Sequence, residues 1–241
     1  MVRFLPFSFA DGPHNMAADE VLLESAQDGI ASLRFYGWST ATVSLGYFQA
    51  DKLRREDGRL ASLPLVRRPT GGGALVHHHE MTYALALPAT SSWQGGGQSS
   101  WLCRMHGIIA EALTELDVNP ETIFKEQPAP NLLCFHHLTP GDLVLSRAKV
   151  VGSAQRKQRG CLLQHGSILL AASPHAPTLP GILELTGRTI TNPEFASALE
   201  KSFITKTGWT LQAADWLPSE LERIEDLVRI KYRQPSWNQK R

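Results

Sequence analysis

The chain has 241 residues, 24 Lys plus Arg against 23 Asp plus Glu, and a formal net charge of +1. That balance excludes the basic excess that nucleic-acid or anionic-membrane binding requires, while 42% hydrophobic and 20% charged residues suit a globular domain with a full core. No apolar run nears the roughly 20 residues that span a bilayer, Met1–Pro6 does not read as a signal peptide, and Cys103, Cys134 and Cys161 are too few for a disulfide framework; a cytoplasmic protein with free thiols is expected, a monomer by default.

In chain order, Asn15 is a candidate N-cap for a helix running from Met16 to about Ala26, before Gly29. Strand-like runs follow at Leu33–Trp38, Thr42–Tyr47, Leu63–Arg67, Ala74–Val76 and Thr82–Leu87, rich in Val, Leu, Thr and aromatics and punctuated by Gly or Pro. The Gly-rich stretch Trp93–Ser100 reads as a surface loop, too short to separate domains. Beyond it, Leu102, Met105, Ile109, Leu113 and Leu116 recur at helical spacing. Strands are expected again at Leu143–Leu145, Lys149–Val151 and Leu162–Leu170. A last helix is marked by Ser219 with Glu222 as a capping box, followed by Leu221, Ile224, Leu227 and Val228 on one face. Several strands neighbour one another without room for a crossover helix, which favours antiparallel or mixed pairing. The expectation is an α/β (α+β) fold, residues 1–241 forming one domain of mixed or antiparallel sheets flanked by helices.

Three segments carry the chemistry. The first is Arg67-Arg68-Pro69-Thr70-Gly71-Gly72-Gly73-Ala74-Leu75-Val76-His77. Its three successive glycines let backbone approach a ligand and offer N–H groups to an anion, with Arg67 or Arg68 beside them to hold a carboxylate or phosphate. No Gly-Lys-Ser/Thr follows, so it is not a P-loop, and it lacks the strand-before, helix-after context of a dinucleotide fingerprint. A plain flexible hairpin loop is the competing interpretation. The second segment pairs Lys149-Val150-Val151-Gly152-Ser153-Ala154-Gln155 with Gln164-His165-Gly166-Ser167, small and polar residues at the ends of apolar strands. Between them, Arg156–Gly160 reads as a solvated turn. The third is Cys134, in a loop after Pro128 and Pro130 and before His136-His137. A free cysteine is commonly a small buried hydrophobe, but one near a lysine gains thiolate character. Cys103 and Cys161 read as packing residues. In a strand, His77 and His79 face away from His78, so the triplet builds no tetrahedral site, and no metal is expected.

Taken together, Asn15-Met16-Ala17-x-Asp19-Glu20, the arginine–glycine segment through His77, the lysine and histidine segments, Lys231-Tyr232 and Trp237-Asn238 resemble the lipoate–protein ligase and octanoyltransferase family of the biotin/lipoate ligase superfamily, in that family's order. The resemblance spans nearly the whole chain and implies that family's catalytic fold, with no accessory C-terminal domain. It is closest to the cysteine-type octanoyltransferases, in which a Cys-Phe pair lies fifteen residues before the motif lysine, as Cys134-Phe135 lies before Lys149 here. No Gly-Arg-Gly-Arg run is present, which disfavours biotin.

The implied activity takes octanoyl from acyl carrier protein onto Cys134 and then to a lysine of a lipoyl domain or glycine-cleavage H protein, with no cofactor. Lys149 favours the thiolate and, with its pKa lowered, would serve as base for the incoming amine. Arg68, Thr70, Gly71, Gly72, Gly73, His77, Gly152, Ser153, Ala154, Gln155, His165 and Gly166 are the implied substrate-binding residues. N–H groups of the glycine loop or Gly152-Ser153 would meet the oxyanion, and the acyl chain would run beside the loop and His77. The alternatives are an ATP- and magnesium-dependent lipoate or octanoate ligase with a structural Cys134, a lipoyl amidotransferase, or a binding module without turnover. Two features depart from expectation. His78 stands where the family has an acidic residue, leaving no orienting carboxylate at that position. The apolar stretch Ala129–Leu133 would raise the thiol pKa unless Lys149 is close.

Overall fold

The computed structural model describes residues 1–89, 100–127 and 133–240. Strand β1 (Val2–Ala10) leads into helix α1 (Gly12–Gln27). Asp11, not Asn15, caps this helix, its carboxylate accepting the His14 N–H at 3.0 Å, with Pro13 in the first turn. Asn15 lies inside the helix, fully buried, and donates from Nδ2 to the carbonyls of Ala10 and Gly37. Strands β2 (Ser32–Trp38) and β3 (Thr42–Leu45), short helices α2 (Lys52–Glu56) and α3 (Gly58–Ala61), and strands β4 (Leu65–Arg67), β5 (Leu75–His77) and β6 (Glu80–Leu87) follow.

Helix α4 (Trp101–Glu115) has the predicted apolar face, capped by Ser100. The Gly95–Gly97 part of the predicted loop lies outside the described residues, as does most of Ala129–Leu133. Next come β7 (Glu121–Thr122), a 3₁₀ turn at Cys134–His136, β8 (Leu143–Leu145), β9 (Ala148–Gln158) and β10 (Cys161–Leu169). Strand β9 is far longer than its apolar core predicted, so Gly152–Gln155 lies within a strand and only Arg159-Gly160 turns. Short helix α5 (Ile182–Thr186), α6 (Asn192–Thr207), β11 (Leu211–Ala213), α7 (Pro218–Leu227), one π-helical turn (Val228–Tyr232) and α8 (Pro235–Asn238) complete the order. The α7 start corrects the predicted box: Glu220 returns to the Leu217 N–H at 2.9 Å, Ser219 lies inside, and Leu221 is exposed.

Eight strands form one sheet in the order β11-β1-β2-β6-β10-β9-β8-β7, parallel where β1 meets β2 and β11 and antiparallel elsewhere. The mixed pairing expected from the short connections is present. Helices α4 and α6 cover one face through Met105, Ile109, Leu113, Phe195 and Phe203. Helices α1 and α7 cover the other through Met16, Leu22, Ile224 and Leu227. Strand β6, sandwiched between both, is buried at every residue. Strands β4-β3-β5 form a second, small sheet whose core reaches Leu133, Phe135, Leu169 and Leu179. The glycine segment leaves β4 and enters β5, so it lies where the small sheet meets β9 and β10.

Candidate active site

Cys134 opens the 3₁₀ turn, and its N–H donates to the Ala74 carbonyl at 2.8 Å. The turn therefore hangs on the backbone that leaves the glycine loop. Gly73 makes this approach possible: a Cβ there would stand 2.9 Å from the Cys134 Cα. From β9, Lys149 reaches the same point. Its Nζ lies 2.7 Å from Asp142 Oδ2, 3.2 Å from the His137 carbonyl and 3.9 Å from Cys134 Sγ. Asp142 also accepts the N–H and hydroxyl of Thr139 at 2.7 and 2.9 Å. Both members of the Lys149–Asp142 pair are 2% exposed. Lys149 is thus half of a buried ion pair that stands beside the thiol.

The lysine lies over Gly152, where an added Cβ would meet Lys149 Cε at 2.4 Å. Gly152→Ala is expected to push the ammonium off the thiol and slow Cys134 alkylation and acylation at least tenfold, as rapid-mixing kinetics would record, with the fold kept by far-UV circular dichroism.

A cleft with about 430 Å³ of empty space opens beside Cys134, walled by Met16, Tyr36, Trp38, Leu75 and Phe135. Arg68, Gly72, His77, Gly152, Ser153, Ala154, His165 and Gly166 also line it, so most of the predicted set converges. Thr70 stands behind, bonded to His165. Gln155 does not reach the cleft; its amide donates to Gln164 at 2.6 Å. Neither arginine is free for an anion. Arg67 donates to the carbonyls of Gly46, Gln49, Trp237 and Asn238. Arg68 donates to those of Ser44, Gly71 and Gly73, bracing the loop. The loop N–H groups are another matter: among the described residues, those of Gly71, Gly72 and Gly73 meet no protein acceptor, and Gly72 turns at φ +89°. They remain available to an oxyanion.

Three hydrogen-bond chains set the walls. Arg68 donates to Ser44 Oγ at 2.6 Å, so Ser44 donates to His77 Nε2, also at 2.6 Å, and His77 Nδ1–H donates to Glu80. The orienting carboxylate missing at position 78 is thus supplied by Glu80. His77 stacks on Trp38 at 3.7 Å, and burial depresses its pKa, aided by Arg68 and His165 against the opposing pull of Glu80. On a second chain, Asp19 accepts Arg34 at 2.8 Å, Tyr36 Oη–H at 2.9 Å and His165 Nδ1–H at 2.7 Å, while His165 Nε2 meets Thr70 Oγ1 at 2.7 Å. Burial pushes the Asp19 pKa up, but Arg34 and His165 outweigh it and hold the carboxyl below its ordinary value.

The third chain runs under the sheet. His106 Nδ1–H donates to the Gly141 carbonyl at 2.5 Å, so its Nε2 accepts Ser153 Oγ–H at 2.6 Å. Ser153 accepts Tyr83 Oη–H, and Tyr83 accepts Gln164. Burial depresses the His106 pKa and keeps this tautomer neutral. Sequence reasoning missed Asp142, Glu80 and His106. None stands in a Gly-rich motif; Glu80 is three residues beyond His77, and the fold brings Asp142 and His106 near.

Of the three histidines in the 77–79 run, only His77 reaches the site; among the described residues no His, Cys, Asp and Glu cluster could hold a metal ion. No described helix is long and apolar enough to cross a membrane. Residues 11–184 match the lipoyl protein ligase A/B catalytic domain. The chain is 30% identical to octanoyltransferase LipM of Bacillus subtilis over 276 residues, covering 99% of this chain and 98% of LipM. It is 31% identical to LipM of Brevibacillus brevis over 261 residues, 94% of each. Among solved structures, lipoate-protein ligase A bound with ATP superposes with a TM-score of 0.78 at 20% identity, over 99% of this chain and 98% of that one. The bi-partite lipoate protein ligase of Thermoplasma acidophilum, studied with its E2 lipoyl domain, gives 0.75 at 19% identity over 99% and 95%. At these identities the structural matches establish the fold.

Proposed function

The chain belongs to the lipoyl protein ligase A/B catalytic-domain family, and from that premise we propose that it is an octanoyltransferase working through a Cys134 thioester, residues 1–241 acting as one catalytic unit. The observation that carries this is the buried Asp142–Lys149 pair beside Cys134 Sγ. The thiolate attacks the carbonyl of an octanoyl thioester on acyl carrier protein, and the N–H groups of Gly71–Gly73 receive the oxyanion. Collapse expels the carrier thiol and leaves octanoyl on Cys134, its chain in the cleft between Trp38 and Phe135. A lysine amine of a lipoyl domain or glycine-cleavage H protein then attacks. The C–S bond breaks, an amide forms, the amine gives its proton to water, and Cys134 returns as thiolate. Thioester to amide runs downhill, so ATP has no part in it.

The ligase alternative has no comparable support. Arg67 and Arg68, which precede the glycine loop in sequence, are engaged with backbone carbonyls rather than open to a phosphate.

Mixing the protein with octanoyl–acyl carrier protein, without ATP, is expected to add one octanoyl group by intact mass, removed by hydroxylamine. An unchanged mass, with modification of the lipoyl domain only when ATP, magnesium and free acid are supplied, would overturn the transferase.

A further inference from the structure

The acyl cleft accounts for one side of the thiol turn. A second cleft, with about 720 Å³ of empty space, begins at Phe135 and His136, immediately after Cys134, and extends to the turn between β8 and β9. Phe135 walls both clefts, and Lys149 lines the second. Gln127, His136 and Thr178 give it hydrogen-bonding side chains, with His136 Nε2 and Thr178 Oγ1 3.2 Å apart. Arg147 lines it from the hairpin turn.

That turn is built at a conformational cost. Ser146 and Arg147, the two residues joining β8 to β9, have φ of +46° and +70°. Two-residue turns of this kind draw Asn and Gly, because a Cβ is strained there. Here the left-handed position instead holds a long cation. Arg147 is exposed and has no hydrogen bond or ion pair among the described residues.

A thioester carbonyl held at Sγ carries two arms that must diverge. The alkyl chain takes the apolar cleft, so the sulfur arm needs another way out, and the cleft on the other side of Phe135 is polar and carries a free cation. We propose that this second cleft receives the phosphopantetheine arm of the acyl donor, its amides meeting Gln127, His136 and Thr178 and its phosphodiester pairing with Arg147. The assignment rests on the octanoyltransferase function above. In the step it serves, the Cys134 S–C bond forms, the arm's C–S bond breaks, and the arm leaves as a thiolate that water protonates; no redox partner takes part.

The test compares kcat/KM for octanoyl-phosphopantetheine with that for octanoyl-pantetheine, which differ only in the phosphate. The unaltered protein is expected to prefer the phosphorylated donor. Arg147→Ala should shrink that preference about tenfold, Arg147→Glu should invert it, and Arg147→Lys should keep most of it. A preference unchanged within twofold in the Ala and Glu variants, with Cys134 still acylated, would overturn the subsite alone. Failure of both donors to acylate Cys134 in the unaltered protein would overturn the transferase itself, and the subsite with it.

Discussion

Replacement of Cys134 by serine is expected to abolish octanoyl transfer, lowering kcat by about 10⁴-fold or more, the scale seen when a nucleophile is removed from a site that acts as a unit. Serine keeps the shape of the 3₁₀ turn and its N–H bond to Ala74, so the loss reports chemistry rather than folding. An alcohol is a far weaker acid than a thiol, and Lys149, paired with Asp142, offers charge but no base to remove the hydroxyl proton. Single-turnover assays with octanoyl–acyl carrier protein check this. Transfer retained within tenfold by Cys134→Ser would mean that the acyl group never rests on residue 134.

The second large effect concerns both stability and rate. Lys149→Met leaves Asp142 charged and 2% exposed with no cation, a change that costs about 3–5 kcal/mol. For a chain of this size that lowers Tm by roughly 10 °C, and transfer falls with it because the thiolate loses its counter-charge. Adding Asp142→Asn removes the stranded charge while keeping an acceptor for Thr139. The double variant is expected to regain most of the Tm and none of the activity. Calorimetry and single-turnover kinetics on the two single variants and the double close the cycle. Activity returning together with Tm would show that Lys149 matters only for folding.

The sequence carried some parts of this molecule openly and hid others. Helix α4 was legible because five apolar residues repeat on one stripe over a packed sheet. The start of α1 was misassigned because Asp11 and Asn15 are both good caps; the choice fell to Pro13 and to the buried bonds of Asn15 across the sheet, which no local rule reports. Strand β9 was cut short because Gly152–Gln155 looks like a loop, whereas pairing with Gln164–Ser167 of β10 keeps it extended. The site followed the same division. Residues in the glycine, lysine and histidine segments were found, while Asp142, Glu80 and His106 act through partners 7, 3 and 47 residues away.

The grip of Arg67 on Trp237 and Asn238 bears on how the enzyme matures. Arg67 sits next to the arginine that braces the glycine loop, yet its own bonds close over 171 residues of sequence. Such distant contacts are late events, because loop-closure entropy must be met before they form. During synthesis the thiol, the ammonium and the loop all emerge well before residue 237. On the mechanism proposed above, a nascent chain therefore carries its nucleophilic cysteine without the finished cradle, and competence to capture an acyl group arrives only when the last helix docks. A chain cut upstream of Trp237 would hold every catalytic side chain and still lack that final lock.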